Sequence, residues 1–183
     1  GFGIDPNALK YLAEQIFSTT TRFIVKISIV VGGGNIWRGT DYEDQGMDRS
    51  VADSAGMLGT MINALALQDN LERIGTPVRT LSALSTPSVA EPFIRRRALR
   101  HLEKGRVVIL AGGTGNPYMT TDTAAAQRAL ELNAELLIMS KNKVDGIYTS
   151  DPNKYSNAKK FDSLTPIEAL ARRIKALDST ALS

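Results

Sequence analysis

Three short segments of this chain carry residue types that phosphate and nucleotide chemistry uses. The first is Gly32-Gly33-Gly34-Asn35-Ile36-Trp37-Arg38-Gly39, directly after an apolar run that ends at Val31. Consecutive glycines leave no Cβ between backbone N–H groups and a ligand, and clustered N–H groups suit phosphate. Arg38, four residues past the last of the three glycines, adds a guanidinium that can clamp phosphate oxygens. Tight turns also use glycine, so the segment alone leaves both readings open. It is neither a Walker A loop, since no Gly-Lys-Ser/Thr follows, nor the Gly-x-Gly-x-x-Gly dinucleotide fingerprint with a helix starting at once.

The second segment, Gly112-Gly113-Thr114-Gly115-Asn116-Pro117-Tyr118-Met119-Thr120-Thr121-Asp122, packs glycines, three threonine hydroxyls, an amide and a carboxylate into one strand-to-helix connection. Asp122 or Thr121 can cap the next helix, but a cap needs one such residue and this loop offers several donors and acceptors. A polar ring or sugar near a helix N-terminus would use them. The third segment runs from Lys141 through Asn142, Asp145-Gly146 and Tyr148 to Asp151-Pro152. Its turn signals fit an ordinary hairpin, while Lys141 and Tyr148 would suit phosphate charge and an aromatic base.

These loops need elements to hold them. Asp5-Pro6 opens a helix with an N-cap and a first-position proline, and Leu9, Leu12, Ala13, Ile16 and Phe17 form its apolar stripe. Phe23 to Val31 reads as a strand. A long helix follows from about Ser50 to Arg73, with Val51, Ala55, Leu58, Ile62, Leu65, Ala66 and Leu71 as its buried side and Gly75 at its C-terminus. Val78 to Ala83 is a strand, Ala90 to Lys104 a helix, Val107 to Ala111 a buried strand and Thr123 to Leu132 a helix. Glu135 to Met139 is strand-like, and a weaker helix lies near Pro166 to Lys175. Apolar strands separated by amphipathic helices predict an α/β fold, a three-layer αβα sandwich around a mainly parallel sheet. Ligands bind such sheets outside the carboxyl ends of the strands, where these loops fall.

Composition narrows the chemistry. With no cysteine there is no disulfide, thiolate zinc site or cysteine nucleophile, and with a single histidine, His101, no multi-His metal site. A net charge of +3 is too weak to argue for nucleic acid. Much of the excess sits at Arg95, Arg96, Arg97, Arg100 and Lys104, read as a solvated helix face or subunit contact, with His101 a surface or interface residue. The longest apolar run is broken by Lys26 and Ser28, so no membrane span is expected, no secretory signal is visible, and a cytoplasmic protein is the default.

The three loops in this order and spacing resemble the bacterial uridylate (UMP) kinases of the amino acid kinase family. The likeness is carried by Gly1-Phe2-Gly3-Ile4-Asp5, Gly32 to Gly39, Gly46-Met47-Asp48-Arg49 with Ala52-Asp53, Val89 to Arg97, Thr114 to Asp122 and Val144 to Pro152, and so runs over essentially the whole chain. Met119 replaces the aromatic residue usual at its position. The resemblance implies phosphorylation of UMP to UDP by ATP with Mg²⁺, in a homohexamer, with UTP and GTP as possible effectors. Carried over by position, Gly33, Asp53, Thr114, Gly115, Asn116, Pro117, Tyr118, Met119, Thr120 and Thr121 would hold UMP. Gly34, Arg38, Asn142, Tyr148 and Asp151 would belong to the ATP side, with Asn142 standing where many members have Thr. Arg38, the Gly33 and Gly34 amides and Lys141 would stabilise charge on the moving phosphoryl group, and Asp122 would organise phosphates and metal rather than act as a strong base. No metal site built from protein side chains alone is expected.

In the family a strand bearing Lys-Leu-Ser-Gly-Glu precedes the Gly-Phe-Gly-Ile-Asp segment, and further strands follow the region of Leu177 to Ala181. Either the chain is truncated or those strands lie outside these 183 residues. The second is the expectation for this single amino acid kinase domain, since losing a central strand and its lysine would cost both fold and activity. Competing readings are an acyl- or carbamoyl-phosphate-forming kinase of the same superfamily, a non-catalytic nucleotide-binding regulator, and, last, a Rossmann-type oxidoreductase. The Thr114-Gly115-Asn116-Pro117 run and the Ala52-Asp53 pair argue against the first, and the glycine spacing against the last.

Overall fold

The computed structural model describes residues 2–140, 145–172, 174 and 179–182. The chain divides into two compact units, Gly1–Thr121 and Asp122–Ser183. Helix α1 (Pro6–Arg22) starts where Asp5 accepts from the backbone N–H groups of Asn7 and Ala8, at 2.9 and 3.3 Å. Strand β1 (Ser28–Val30), the short helix α2 (Gly39–Glu43) and the long helix α3 (Arg49–Arg73) follow. Then come β2 (Val78–Ser82), β3 (Glu91–Pro92), α4 (Arg95–Glu103) and β4 (Val107–Ala111). The strands form one parallel sheet in the order β1-β4-β2-β3, with Ser28 opposite Val108 and Val78 opposite Val107.

The core lies between α3 and the sheet. Met61, Ala64, Leu67 and Leu71 of α3 pack with Val78, Val107, Ile109 and Ala111, and Ala13 and Ile16 of α1 join them. Alternate residues of a strand face opposite sides, and Val108 and Leu110, on the other side of β4, are buried as well. Both faces of β4 are therefore covered, as a parallel sheet requires; α4 packs against this strand.

The buried side of α3 differs from the expected one. Only Leu71 of the predicted set is buried; the others in contact are Ala52, Gly59, Thr60, Met61, Ala64 and Leu67, while Val51, Leu58, Ile62 and Leu65 are exposed. The cause is close approach: loop backbone packs directly on the helix at Gly56 and Gly59, which selects small residues on that side. Each glycine costs a helix interior about 0.5–1 kcal/mol. Full burial of Leu67 and Leu71, worth about 1.5–3 kcal/mol each, outweighs it.

Four other expectations are corrected. The first strand is only Ser28–Val30, because its partner β4 begins at Val107 and leaves Phe23 and Ile24 without a strand partner among the described residues. The segment predicted as helix from Ala90 opens instead with β3: Pro92 has no N–H and disfavours helical backbone at Glu91, which pairs with Leu81, so α4 starts at Arg95. His101 is buried, with Nε2 3.2 Å from Glu91 and Nδ1 3.0 Å from Arg106. A guanidinium only donates, so Nδ1 is the acceptor and Nε2–H points at Glu91. Finally, residues 135–139 pair with no described strand, and Leu136 and Ile138 stay exposed.

The second unit contains helix α5 (Thr121–Glu131), which begins at its boundary, α6 (Pro166–Ala171) and α7 (Ser179–Leu182). Thr165 and Glu168 close a capping box at the start of α6; Lys175, expected near its end, lies outside the described residues. Tyr148 and Lys160 form an antiparallel bridge, flanked by Thr149 N–H to Lys159 O at 2.9 Å and Phe161 N–H to Ile147 O at 2.8 Å. No helix among the described residues is long and apolar enough to cross a membrane.

Candidate functional site

In the first unit two of the three loops leave neighbouring parallel strands at their carboxyl ends. The Gly32–Gly39 loop follows β1, the Gly112–Thr121 loop follows β4, and β1 pairs with β4. The first loop closes on itself through the N–H groups of Ile36 and Trp37, which both donate to the Gly33 carbonyl at 2.9 Å. Gly33 is buried against α3, where a Cβ would run into the Gly56 carbonyl and lie 3.0 Å from the Thr60 nitrogen. Gly34 and Arg38 face solvent together, and Arg38 Nε donates to the Gly34 carbonyl at 3.0 Å. Trp37 anchors the loop's far end: its indole N–H donates to the Ala52 carbonyl at 2.9 Å and its ring stacks on Tyr42 at 3.6 Å.

The second loop takes positive φ at Gly112, Gly113, Gly115 and Tyr118, which turns it back over α3. Gly112 N–H donates to Thr60 Oγ1 at 2.7 Å, and Gly115 N–H to the Gly112 carbonyl at 2.9 Å. Thr114 Oγ1 accepts from the Asn116 N–H at 3.2 Å. Asp53, one turn into α3, accepts from the Tyr118 N–H at 2.8 Å. It also accepts from Arg49 Nε at 2.9 and 3.0 Å, and Arg49 reaches Glu43 at 2.7 Å. Those bonds, to Asp53 first and Glu43 second, hold the Arg49 pKa above its ordinary value. The two loops approach each other where Thr121 Oγ1 would lie 3.5 Å from a Cβ on Gly32.

The first unit thus brings together Gly33, Gly34, Arg38, Asp53 and the run Thr114 to Thr121. A solvent-facing guanidinium beside a glycine turn suits phosphate, and the neighbouring loop offers hydroxyls and an amide for a sugar or base. Sequence reasoning placed Arg49 in a segment that carries the likeness but gave it no role, and it did not single out Thr60 or Asn63. The available signal was two polar residues, Thr60 and Asn63, set in the otherwise apolar or small stretch from Leu58 to Leu67.

In the second unit, Asp122 stands in the first turn of α5, where a negative charge complements the helix dipole. Tyr148 donates its hydroxyl to Asp145 Oδ1 at 2.7 Å, while Lys160 Nζ sits 2.8 Å from Oδ2. These partners, Lys160 first, hold the Asp145 carboxyl down at about 2. Asp151 Oδ1 accepts from the Asn153 N–H at 2.9 Å, so it shapes its own turn. Lys141 and Asn142 lie outside the described residues.

The sequence model of the amino acid kinase family matches residues 2–182. Among solved structures, the chain is similar to the UMP kinase of Bacillus anthracis, with a TM-score of 0.94 and 39% identity over 100% of this chain and 75% of that one. The UMP kinase of Ureaplasma parvum gives a TM-score of 0.91 and 41% identity over 98% of this chain and 75% of that one. With its parallel sheet and its paired glycine loops, the chain belongs to the amino acid kinase family.

Proposed function

We propose that this protein is an ATP-dependent UMP kinase, which transfers the γ-phosphoryl group of ATP to the phosphate of UMP and yields UDP and ADP. The observation that carries the reading is the meeting of the two glycine loops at the carboxyl ends of β1 and β4, with Asp53 tied to the loop that would cradle the nucleotide. Identity of 39–41% to two UMP kinases supports the choice of acceptor.

In the reaction a UMP phosphate oxygen bonds to the γ-phosphorus as the bond to the β-bridging oxygen breaks. The acceptor is already ionised, so no strong base is needed. Catalysis then rests on placement and charge. Arg38 and the Gly33 and Gly34 amides take the charge on the transferring group, a role the resemblance also gives to Lys141. Asp53 and Thr114 to Thr121 hold UMP; Gly34, Asn142, Tyr148 and Asp151 serve ATP. The donor set fits Mg²⁺ carried by ATP: the ion favours one or two carboxylates completed by phosphate oxygens and water, and Asp122 supplies a carboxylate. Bound there, Mg²⁺ would neutralise charge on the β and γ oxygens. A cytoplasmic homohexamer that responds to UTP or GTP completes the reading.

The test is ADP release by the full-length protein with ATP and Mg²⁺, offering UMP, CMP, carbamate, aspartate and N-acetylglutamate in turn. Turnover confined to UMP, abolished by EDTA and by Arg38→Ala, is expected. Turnover with a carboxylate acceptor would move the protein to another branch of the family. UMP binding without any turnover would make it a regulator.

A further inference from the structure

Two polar side chains on the middle of α3 are each bonded to a different glycine loop. Asn63 Nδ2 donates to the Gly32 carbonyl at 2.7 Å and to Asn35 Oδ1 at 2.6 Å. Asn35 Nδ2 returns a bond to Asn63 Oδ1 at 3.0 Å and donates to the Gly3 carbonyl at 2.9 Å, while Gly3 N–H donates to the Asn35 carbonyl at 2.7 Å. The pair is reciprocal: each amide is donor and acceptor to the other, so turning either one over would set like groups against each other. Thr60, one turn earlier on α3, accepts from Gly112 N–H in the second loop. Gly33 lies between them, pressed onto the backbone of Gly56, Gly59 and Thr60.

We propose that Asn63 is a positioning residue for phosphoryl transfer. Through Asn35 and the Gly32 carbonyl it sets the height of the Gly32–Gly34 backbone on α3, and with Thr60 it fixes the spacing between the two loops. The role rests on the kinase reading above. It matters because a displacement of about 1 Å at a reacting centre costs about 100-fold in rate. Sterics at Gly33 keep the loop from sinking further toward the helix, but they do not keep it from lifting away. The Asn63 amide supplies that restraint.

The test uses Asn63→Asp in the full-length protein. The substituted side chain keeps an acceptor for Asn35 Nδ2 but, when ionised, sets an oxygen against the Gly32 carbonyl; when protonated, it can donate there again. At mildly alkaline pH kcat/KM for UMP should fall about 100-fold, and the deficit relative to the unsubstituted protein should shrink as the pH is lowered. Deuterium uptake by the peptide spanning residues 32–38, compared with the unsubstituted protein at each pH, should rise and fall over the same interval. A merely structural role lowers the unfolding midpoint of Asn63→Asp while kcat/KM of the folded protein stays at its unsubstituted value, and that result overturns the proposal, as does uptake identical to that of the unsubstituted protein. If the unsubstituted protein does not turn over UMP while uptake still follows pH in Asn63→Asp, the kinase reading fails and the loop restraint stands. If Asn63→Asp does not fold, Asn63→Ala decides without adding charge: unchanged uptake in the loop, or unchanged kcat/KM, refutes the role.

Discussion

The backbone N–H of Tyr118 donates to Oδ2 of Asp53 at 2.8 Å, joining residues 65 positions apart. Tyr118 has φ 64°, in the left-handed region, which costs a residue with a Cβ about 1–2 kcal/mol. A hydrogen bond to a charged acceptor is worth about 1.5–3 kcal/mol, enough to hold the loop in this shape without substrate. Arg49 keeps the carboxylate in place from its other side. The Gly112–Thr121 loop is therefore preorganised by the same α3 that carries the first loop.

Replacing Asp53 by Asn keeps the volume and removes the charge. One amide face then opposes either Arg49 Nε or the Tyr118 N–H, both of which are donors. Losing one charged bond, about 1.5–3 kcal/mol, raises the KM for UMP about ten- to hundredfold. The KM for ATP should change much less. Steady-state kinetics with each substrate varied in turn checks this, and equal changes for both would mean that Asp53 supports the site as a whole rather than the UMP loop.

The adjacent glycines Gly33 and Gly34 should behave differently. Gly33→Ala drives a Cβ into the Gly56 carbonyl and the Thr60 nitrogen, backbone atoms that cannot swing aside, whereas at Gly34 the nearest atoms are the Arg38 side chain at 3.7–3.8 Å. Overpacking of the first kind costs about 1–3 kcal/mol. Denaturant unfolding should show that loss for Gly33→Ala and almost none for Gly34→Ala, and equal losses would refute the packing argument.

The sequence carries the chemistry of this fold more clearly than its edges. Glycine runs placed after apolar strands located both loops, because a backbone that must approach a ligand or a helix needs glycine wherever it sits. The strands Val78–Ser82 and Val107–Ala111 were likewise legible, since each carries β-branched residues and follows a helix closed by a glycine, Gly75 or Gly105. The buried face of α3 was not. Periodicity weights large side chains, and the face that meets a loop backbone is built from Ala52, Gly56 and Gly59. Strand ends at Ser28 and Glu91 depend on where a distant partner begins, which local sequence does not encode. His101 reads as a surface residue among arginines until Glu91, placed on β3 rather than on the helix, comes round to bond it.

The Asp145 carboxyl, held at about 2 against an ordinary 3.8, makes the turn around Tyr148 sensitive to acid. A folded-state pKa below the unfolded one means that its contribution is fully present at neutral pH and fades as the pH falls from about 4 toward about 2. Lys160→Gln removes the largest cause and should raise the Asp145 titration toward its ordinary value, while Tyr148→Phe should raise it less. Carbon-13 NMR of labelled aspartate carboxyls reads both, and no change in Lys160→Gln would show that Lys160 does not hold the group.

Thr60 joins the second loop to α3 through its hydroxyl alone, accepting from Gly112 N–H and donating to the Met57 carbonyl at 2.6 Å. Thr60→Val preserves the shape and leaves a buried N–H without an acceptor, at a cost of about 1–3 kcal/mol. In a chain of this size each kcal/mol lowers the unfolding midpoint by about 2–4 °C. Thr60→Ser keeps the hydroxyl and loses only a methyl group, so its midpoint should stay nearer that of the unsubstituted protein. Thermal unfolding of both variants separates the bond from the packing: if Thr60→Val keeps its midpoint while Thr60→Ser loses it, the methyl contact rather than the hydroxyl fastens Gly112 to the helix.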